Sequence, residues 1–271
     1  MKLKDQVVIV TGGGGGIGEG ICLCMARECA SVVVSDYDLA NAEKVAEKVN
    51  KTGQKAIAVQ TDVRKSNDCI KLVEKTIEEF GKMDVMVCNA GVDGVPLDNT
   101  KGAHLIENIR EEDWDHVMDV NLKGVFNCCK ACIPYLKERK SGKIVNISSL
   151  AGRKGVDTLL PYSASKAGVI SITQSLALQL APYHINVNTV CPSVVWTPMW
   201  KRVSRHMGKA IEGFAELNSE DFFNTVVISQ VPFVRPQMPE DIGNAVVFFA
   251  SKDAKEITGQ ALNVCGGSAM N

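Results

Sequence analysis

The stretch "QVVIVTGGGGGIGEGICLCMARECASVVVSD", residues 6–36, decides the fold. Its first five residues are a nearly continuous apolar, β-branched run, the pattern of a parallel strand covered on both faces. Five glycines follow directly, then "IGEGICLCMARECA" places apolar residues at helical spacing, and "SVVVSD" (31–36) reads as a second buried strand. The unit is therefore βαβ with the glycines at the strand-to-helix turn. Glycine there permits positive φ and lets backbone N–H groups and the helix dipole meet a pyrophosphate. A P-loop is excluded because no Lys-Ser/Thr pair follows.

The same alternation continues outward. Strands are expected at "KAIAVQTD", "MDVMVCNAG", "GKIVNISS", "INVNTVCP" and "GQALNVCGG". Helices are expected at "NAEKVAEKVNKTG", "NDCIKLVEKTIEEFG", one long segment from 111 to 139, "YSASKAGVISITQSLALQLAP" and "PEDIGNAVVFFAS". About seven strands and six helices in alternation predict a doubly wound α/β Rossmann fold with a parallel sheet, as a single domain over 1–271. Residues 92–110 and 193–238 break the rhythm. The second is expected to be a substrate lid, since long connections in compact domains are usually functional. Met199, Trp200, Met207, Phe214, Phe222 and Phe223 give it an apolar face, and Asp98 to Arg110 are expected to form the opposite wall.

Composition narrows the class further. The 271 residues are 45% hydrophobic and 23% charged with a formal net charge of -1, which points to neither nucleic acid nor an anionic membrane. The N-terminal apolar run is too short for a signal peptide and no stretch approaches a membrane span, so the expected location is the cytoplasm. Ten cysteines sit within apolar runs and read as reduced packing residues, including the Cys129/Cys132 pair. The four histidines show no metal-ligand spacing, so no metal is expected; His104 and His206 lie in the irregular segments and His184 opens a strand.

The glycine run fits G-x-G-x-x-G and also T-G-x-x-x-G-x-G. Asp36 ends the second strand, 18 residues after Gly18, where a carboxylate accepts hydrogen bonds from adenosine ribose and repels a 2′-phosphate. No Lys or Arg occurs from Thr11 to Gly20, and Tyr37 follows Asp36, so NAD is expected over NADP. Tyr162 and Lys166 in "YSASK" are i and i+4, one helix face, where an ammonium is expected to lower the phenol's pKa. That pairing suits proton transfer at a carbinol.

These residues resemble the short-chain dehydrogenase/reductase family over nearly the whole chain. The matches are "TGGGGGIG" (11–18), Asp62-Val63, "CNAG" (88–91), Asn121 in "VNLKG", Ser149 in "NISS" and "YSASK", in family order. Ser149, 13 residues before Tyr162, is preferred to Ser148. The resemblance implies Tyr162 as general acid/base, Ser149 on the substrate oxygen, Lys166 on the tyrosine and nicotinamide ribose, and Asn121 anchoring a water. It implies cofactor binding by Gly12, Gly16, Ile17, Gly18, Asp36, Asp62, Val63, Asn89, Ala90, Gly91, Val195 and Thr197, leaving Gly13 to Gly15 variable. Ser193 and Cys265 depart from the family pattern; Cys265 is read as a core or interface residue. "TPMW" (197–200) is similar to members acting on diols and polyols. The expected function is an NAD-dependent alcohol dehydrogenase or carbonyl reductase acting on a secondary alcohol (diol, polyol or cyclic) or its ketone. Its rivals are an NADP-dependent 3-oxoacyl carrier-protein reductase and a non-catalytic NAD-binding scaffold. A homotetramer or dimer is expected, joined through the two long helices and the last helix and strand.

Overall fold

Period-two alternation along the strands assigns each side chain to one of two cores. The computed structural model of the chain describes residues 1–94, 102–210 and 216–270. Its seven parallel strands are β1 (Val7–Thr11), β2 (Ser31–Asp36), β3 (Ala56–Gln60), β4 (Val85–Cys88), β5 (Gly142–Ile147), β6 (Ile185–Pro192) and β7 (Ala261–Val264). They lie in the order 3-2-1-4-5-6-7. Val8, Val10, Val32, Val34, Val85 and Val87 point to one face; Ile9, Val33, Met86 and Ile144 point to the other. Each fully buried side chain of this size contributes about 1.5–3 kcal/mol.

The first face is covered by α1 (Gly16–Arg27), α2 (Leu39–Asn50) and the last helix, residues Pro239–Ala250. The second is covered by α3 (Ser66–Phe80), α5 (Gly124–Arg139) and α6 (Leu160–Leu180). Within that second layer, α3 ends at Gly81, whose φ of 72° closes the helix in the left-handed region. The ten cysteines are all free, and nine are buried. The Cys132 thiol donates to the Cys129 carbonyl at 3.4 Å, which makes that pair part of the packing.

One expectation changes. The long helix is not uniform: α4 (Glu111–Met118) passes through a π turn, Asp119–Lys123, before α5 begins, and Asn121 sits in that turn. Single π turns displace a side chain from the regular helical face. The 193–238 connection is helical for much of its length, with α7 (Pro198–Ala210), α8 (Ser219–Phe222), a π turn at Phe223–Val227 and a 3₁₀ turn at Ile228–Gln230. The last helix is accordingly α9. Part of the expected wall, residues 98–101, lies outside the described residues, as do Phe214 and the side chain of His206.

Candidate active site

Strand order reverses between β1 and β4, and an open α/β sheet binds ligands at the carboxyl edge of such a point. Thr11, the last residue of β1, ties the two strand ends together: its Oγ1 donates to the Val87 carbonyl at 3.3 Å and accepts from Asn89 and Ala90 N–H at 3.1 and 3.2 Å. Asn89 Nδ2 answers by donating to the Thr11 and Gly12 carbonyls, both at 3.0 Å. Gly12 has φ +61°, and a Cβ on Gly18 would overlap the Gly12 carbonyl, so both positions require glycine. Gly12 and Gly16, the latter at φ +55°, belong to the T-G-x-x-x-G-x-G register, whereas Gly18 is common to both. Gly13 and Gly14 are not freely variable, because Cβ atoms there would lie 2.9 Å from Val34 and 2.8 Å from the Asp36 carboxylate. Gly15 alone of the three faces open space.

Asp36 is held for use. Its Oδ2 accepts from Gly14 N–H at 2.9 Å and its Oδ1 from Asp38 N–H at 3.0 Å. Further along the edge, Arg64 donates through Nε and Nη2 to the two Asp62 oxygens, each at 2.8 Å, and holds that carboxyl below its ordinary range.

At the other end, α6 presents Tyr162 and Lys166 on one face, with the ammonium 5.6 Å from the ring centroid. Lys166 is buried and donates to the Ile147 carbonyl at 3.0 Å. Ser148 donates to the Lys166 carbonyl at 2.7 Å and is thereby committed to backbone. Ser149 Oγ accepts from Ala151 N–H at 3.1 Å and lines the same cavity as Tyr162. Asn121 is fully buried: its Oδ1 accepts from Val92 N–H at 2.8 Å, and its Nδ2 donates to the Val92 carbonyl at 2.9 Å and to Ser165 Oγ at 3.2 Å.

The electrostatics of this end depart from the sequence reading. Burial pushes the Lys166 ammonium down to about 8. Burial also pushes the Tyr162 phenol above its ordinary 10, against the lowering influence of the Ser149 hydroxyl and with the help of the Asp93 carboxylate. Desolvation is the largest cause, so the phenol lies above its ordinary value, in the opposite direction from the expected lowering by Lys166.

A cavity of about 920 Å³ joins the two ends. It is lined by Gly12, Gly16, Ile17, Gly18, Asp36, Asp62, Val63, Asn89, Ala90, Gly91, Ser149, Tyr162, Lys166, Val195 and Thr197, so every expected site residue except Asn121 faces it. Asn121 stands behind, bracing the loop after β4. The volume and the glycine cradle fit a dinucleotide. Sequence reading missed Arg64, Val92 and His116 in the lining; the last is i, i+4 from Val120, a spacing that would have marked the shared face. His104 is not in that lining. Ser193 is, and its N–H donates to Gln237 Oε1 at 3.3 Å, while Val195 bridges Gln237 in parallel pairing. Cys265 is buried, its thiol on the Ala269 carbonyl at 3.4 Å.

Among the described residues no helix is long and apolar enough to cross a membrane, and no group of three or more His, Cys, Asp or Glu residues is placed to hold a metal ion.

The family model for short chain dehydrogenases matches residues 6–208. A 3-oxoacyl-[acyl-carrier-protein] reductase of Thermotoga maritima is 34% identical over 267 residues, 98% of this chain and 99% of that one. The (2S)-[(R)-hydroxy(phenyl)methyl]succinyl-CoA dehydrogenase subunit BbsD of Thauera aromatica is 33% identical over 270 residues, 100% of this chain and 99% of that one. Among solved structures, levodione reductase superposes with a TM-score of 0.88 at 27% identity, covering 99% of this chain and 100% of the other. A putative short-chain alcohol dehydrogenase of Sinorhizobium meliloti gives 0.84 at 30% identity, covering 98% and 97%. With its glycine cradle, its Tyr162–Lys166 face and these relatives along its whole length, the chain belongs to the short-chain dehydrogenase family of oxidoreductases.

Proposed function

We propose that the protein is an NAD(H)-linked oxidoreductase that interconverts a 3-oxoacyl thioester and its 3-hydroxy counterpart. The observation that carries the reaction type is that Ser149, Tyr162 and Lys166 line one end of the cavity whose other end is lined by Asp36. The substrate class follows two relatives whose names specify acyl thioesters, one a 3-oxoacyl reductase and the other a CoA-linked hydroxyacyl dehydrogenase. The apolar lining from Val92, Met199 and Trp200 supports an acyl chain over the diol or polyol suggested by "TPMW".

Asp36 separates the cofactor from the substrate class. Its carboxylate, fixed by Gly14 and Asp38, would accept from the adenosine ribose hydroxyls and repel a 2′-phosphate. The nearby Arg64 guanidinium is already held bidentately by Asp62, which favours NAD over NADP. Gly12, Gly16, Ile17 and Gly18 would hold the pyrophosphate, Asp62 and Val63 the adenine, Asn89 to Gly91 the adjacent edge, and Val195 and Thr197 the carboxamide. When bound, the nicotinamide supplies or accepts the hydride. Tyr162 gives its proton to the substrate oxygen in reduction and takes it back in oxidation, while Ser149 orients that oxygen. Lys166 holds the ribose and hands protons onward. With its side chain committed to Val92 and Ser165, Asn121 would anchor the linking water by its main chain.

Helix α7 and the turns after it form a lid over this end: Trp200 packs edge-on to Phe223 at 5.6 Å, over Val194, Ile228 and Val231. Phe126, Leu178 and Leu262, exposed apolar side chains of α5, α6 and β7, support association of the single-domain chain into the expected dimer or tetramer. The test is a matrix of initial rates, NADH or NADPH against a 3-oxoacyl thioester or a short diketone. The reading expects the fastest turnover with NADH and the thioester; faster turnover of the diketone would overturn the substrate assignment.

A further inference from the structure

Helix α7 has two faces of opposite character. Inward, Met199 and Trp200 line the cavity, and Val203 and Ser204 are buried one turn further along. Outward, Lys201, Arg202 and Arg205 are exposed. Residues 198–210 hold four Lys or Arg and no Asp or Glu, in a chain whose formal net charge is -1, so the basic face is local to the helix that walls the cavity. Arg202 is already committed, donating to Asp93 through Nε at 3.0 Å. Lys201 and Arg205 are not: Lys201 lies over the Trp196 ring, 5.5 Å from its centroid, and Arg205 has no ion-pair partner among the described residues. At i and i+4 the two share one side of the helix, with Cβ atoms about 5–6 Å apart. The neighbouring α8 has the opposite charge at its surface, with Glu220 and Asp221 exposed in its first turn.

We propose that Lys201 and Arg205 bind the phosphate groups of a coenzyme A thioester, which makes the nucleotide end of coenzyme A, rather than a carrier protein, the handle by which the substrate is held. The proposal rests on the substrate being a thioester. A coenzyme A thioester carries its acyl group and its phosphates at opposite ends of a long uncharged arm. Helix α7 offers the matching pair of surfaces: apolar side chains toward the cavity and cations toward the rim. An exposed guanidinium forks onto two phosphate oxygens, and an ammonium acts as a compact point charge, so two such groups one helical turn apart suit a small, densely charged anion. A carrier protein with an acidic docking surface is broader, and laid across α7 it would also meet Glu220 and Asp221 on α8. Like charges facing each other across an interface work against that partner. The two cations are thus specificity-determining residues that stand apart from the reacting groups.

The test compares one 3-oxoacyl group on two carriers, coenzyme A and N-acetylcysteamine, the second of which ends before the phosphates. In the wild type the coenzyme A thioester should have a KM about tenfold below that of its truncated counterpart. Lys201→Gln and Arg205→Gln should each raise the coenzyme A KM about threefold and together about tenfold, with kcat and the N-acetylcysteamine KM within about twofold of wild type. Arg205→Lys should keep most of the advantage. Equal KM values for the two carriers in the wild type, or a double variant that weakens both alike, would overturn the proposal. So would a carrier-protein thioester that saturates the enzyme below coenzyme A and loses that lead with the same substitutions. Calorimetric titration of the NAD-saturated protein with desulfo-coenzyme A reads the site without turnover: it should bind, and bind about tenfold more weakly in the double variant. Such binding with no turnover of either thioester would uphold the site and overturn the thioester reading. Turnover of both with no preference for coenzyme A would do the reverse.

Discussion

The two ends of the cavity are built from different materials. The end proposed for adenosine is main chain: Gly12 and Gly18 in mutual contact, Thr11 and Asn89 stitching β1 to β4, and Asp36 anchored by two backbone N–H groups. The end proposed for the reaction is side chain: a buried lysine, a phenol and a serine in one lining, and an ion pair reaching in from α7. The first end is a fixed shape whose tolerance is steric. The second is a balance of charges whose tolerance is electrostatic.

The largest expected effect tests the second end. Tyr162→Phe should cost about a thousandfold in kcat or more while NADH binding, followed by fluorescence, stays within about threefold. An equal loss of both would make the two ends one unit. Next, Lys166 should prove a stability burden. Its folded-state pKa near 8 lies below the ordinary 10.5, so the fold disfavours the charged form. Wild-type stability should therefore rise as pH climbs from about 8 to 10.5. Lys166→Met should be inactive and more stable at pH 7 by roughly 1–3 kcal/mol in urea titrations, the gain vanishing toward pH 10.5.

The adenosine end is probed by volume. Gly18→Val should weaken NADH binding about a hundredfold by titration, since its Cβ meets a carbonyl, whereas Gly15→Ser, facing open space, should change it by less than about threefold. The reverse order would place the pyrophosphate on a different register. The smallest expected effect is at the lid: Trp200→Ala should raise the substrate KM about tenfold and leave NADH affinity in place.

The same difference explains what the sequence disclosed. Glycine spacing, β-branched runs and an acidic strand end are local, and β2 and β6 lie where the sequence put them, Ser31–Asp36 and Ile185–Pro192. The i, i+4 spacing of Tyr162 and Lys166 is local too, as is the interval that singled out Ser149. The pKa of Tyr162 is not local: it depends on burial and on Asp93, 69 positions away in the chain, and neither is visible in "YSASK". The π turn at Asp119–Lys123 was hidden because its residues continue the helical periodicity on either side. Arg202–Asp93 spans 109 positions and no motif marks it. The packing of the 193–238 segment was hidden because its side chains meet in tertiary structure, as Trp196 and Trp200 do around Phe223.

Asp36 joins the two halves of the functional reading, because its carboxylate is the main argument for NAD against a phosphorylated cofactor while the relatives argue for the thioester. The most direct measurement is the ratio of kcat/KM with NADH to that with NADPH, on a 3-oxoacyl thioester, for the wild type and for Asp36→Ala. The account predicts a wild-type preference for NADH of about tenfold or more that shrinks toward parity in the variant, as loss of one charge-assisted contact and one repulsion implies. A wild type that prefers NADPH, or a ratio unmoved by Asp36→Ala, would contradict it.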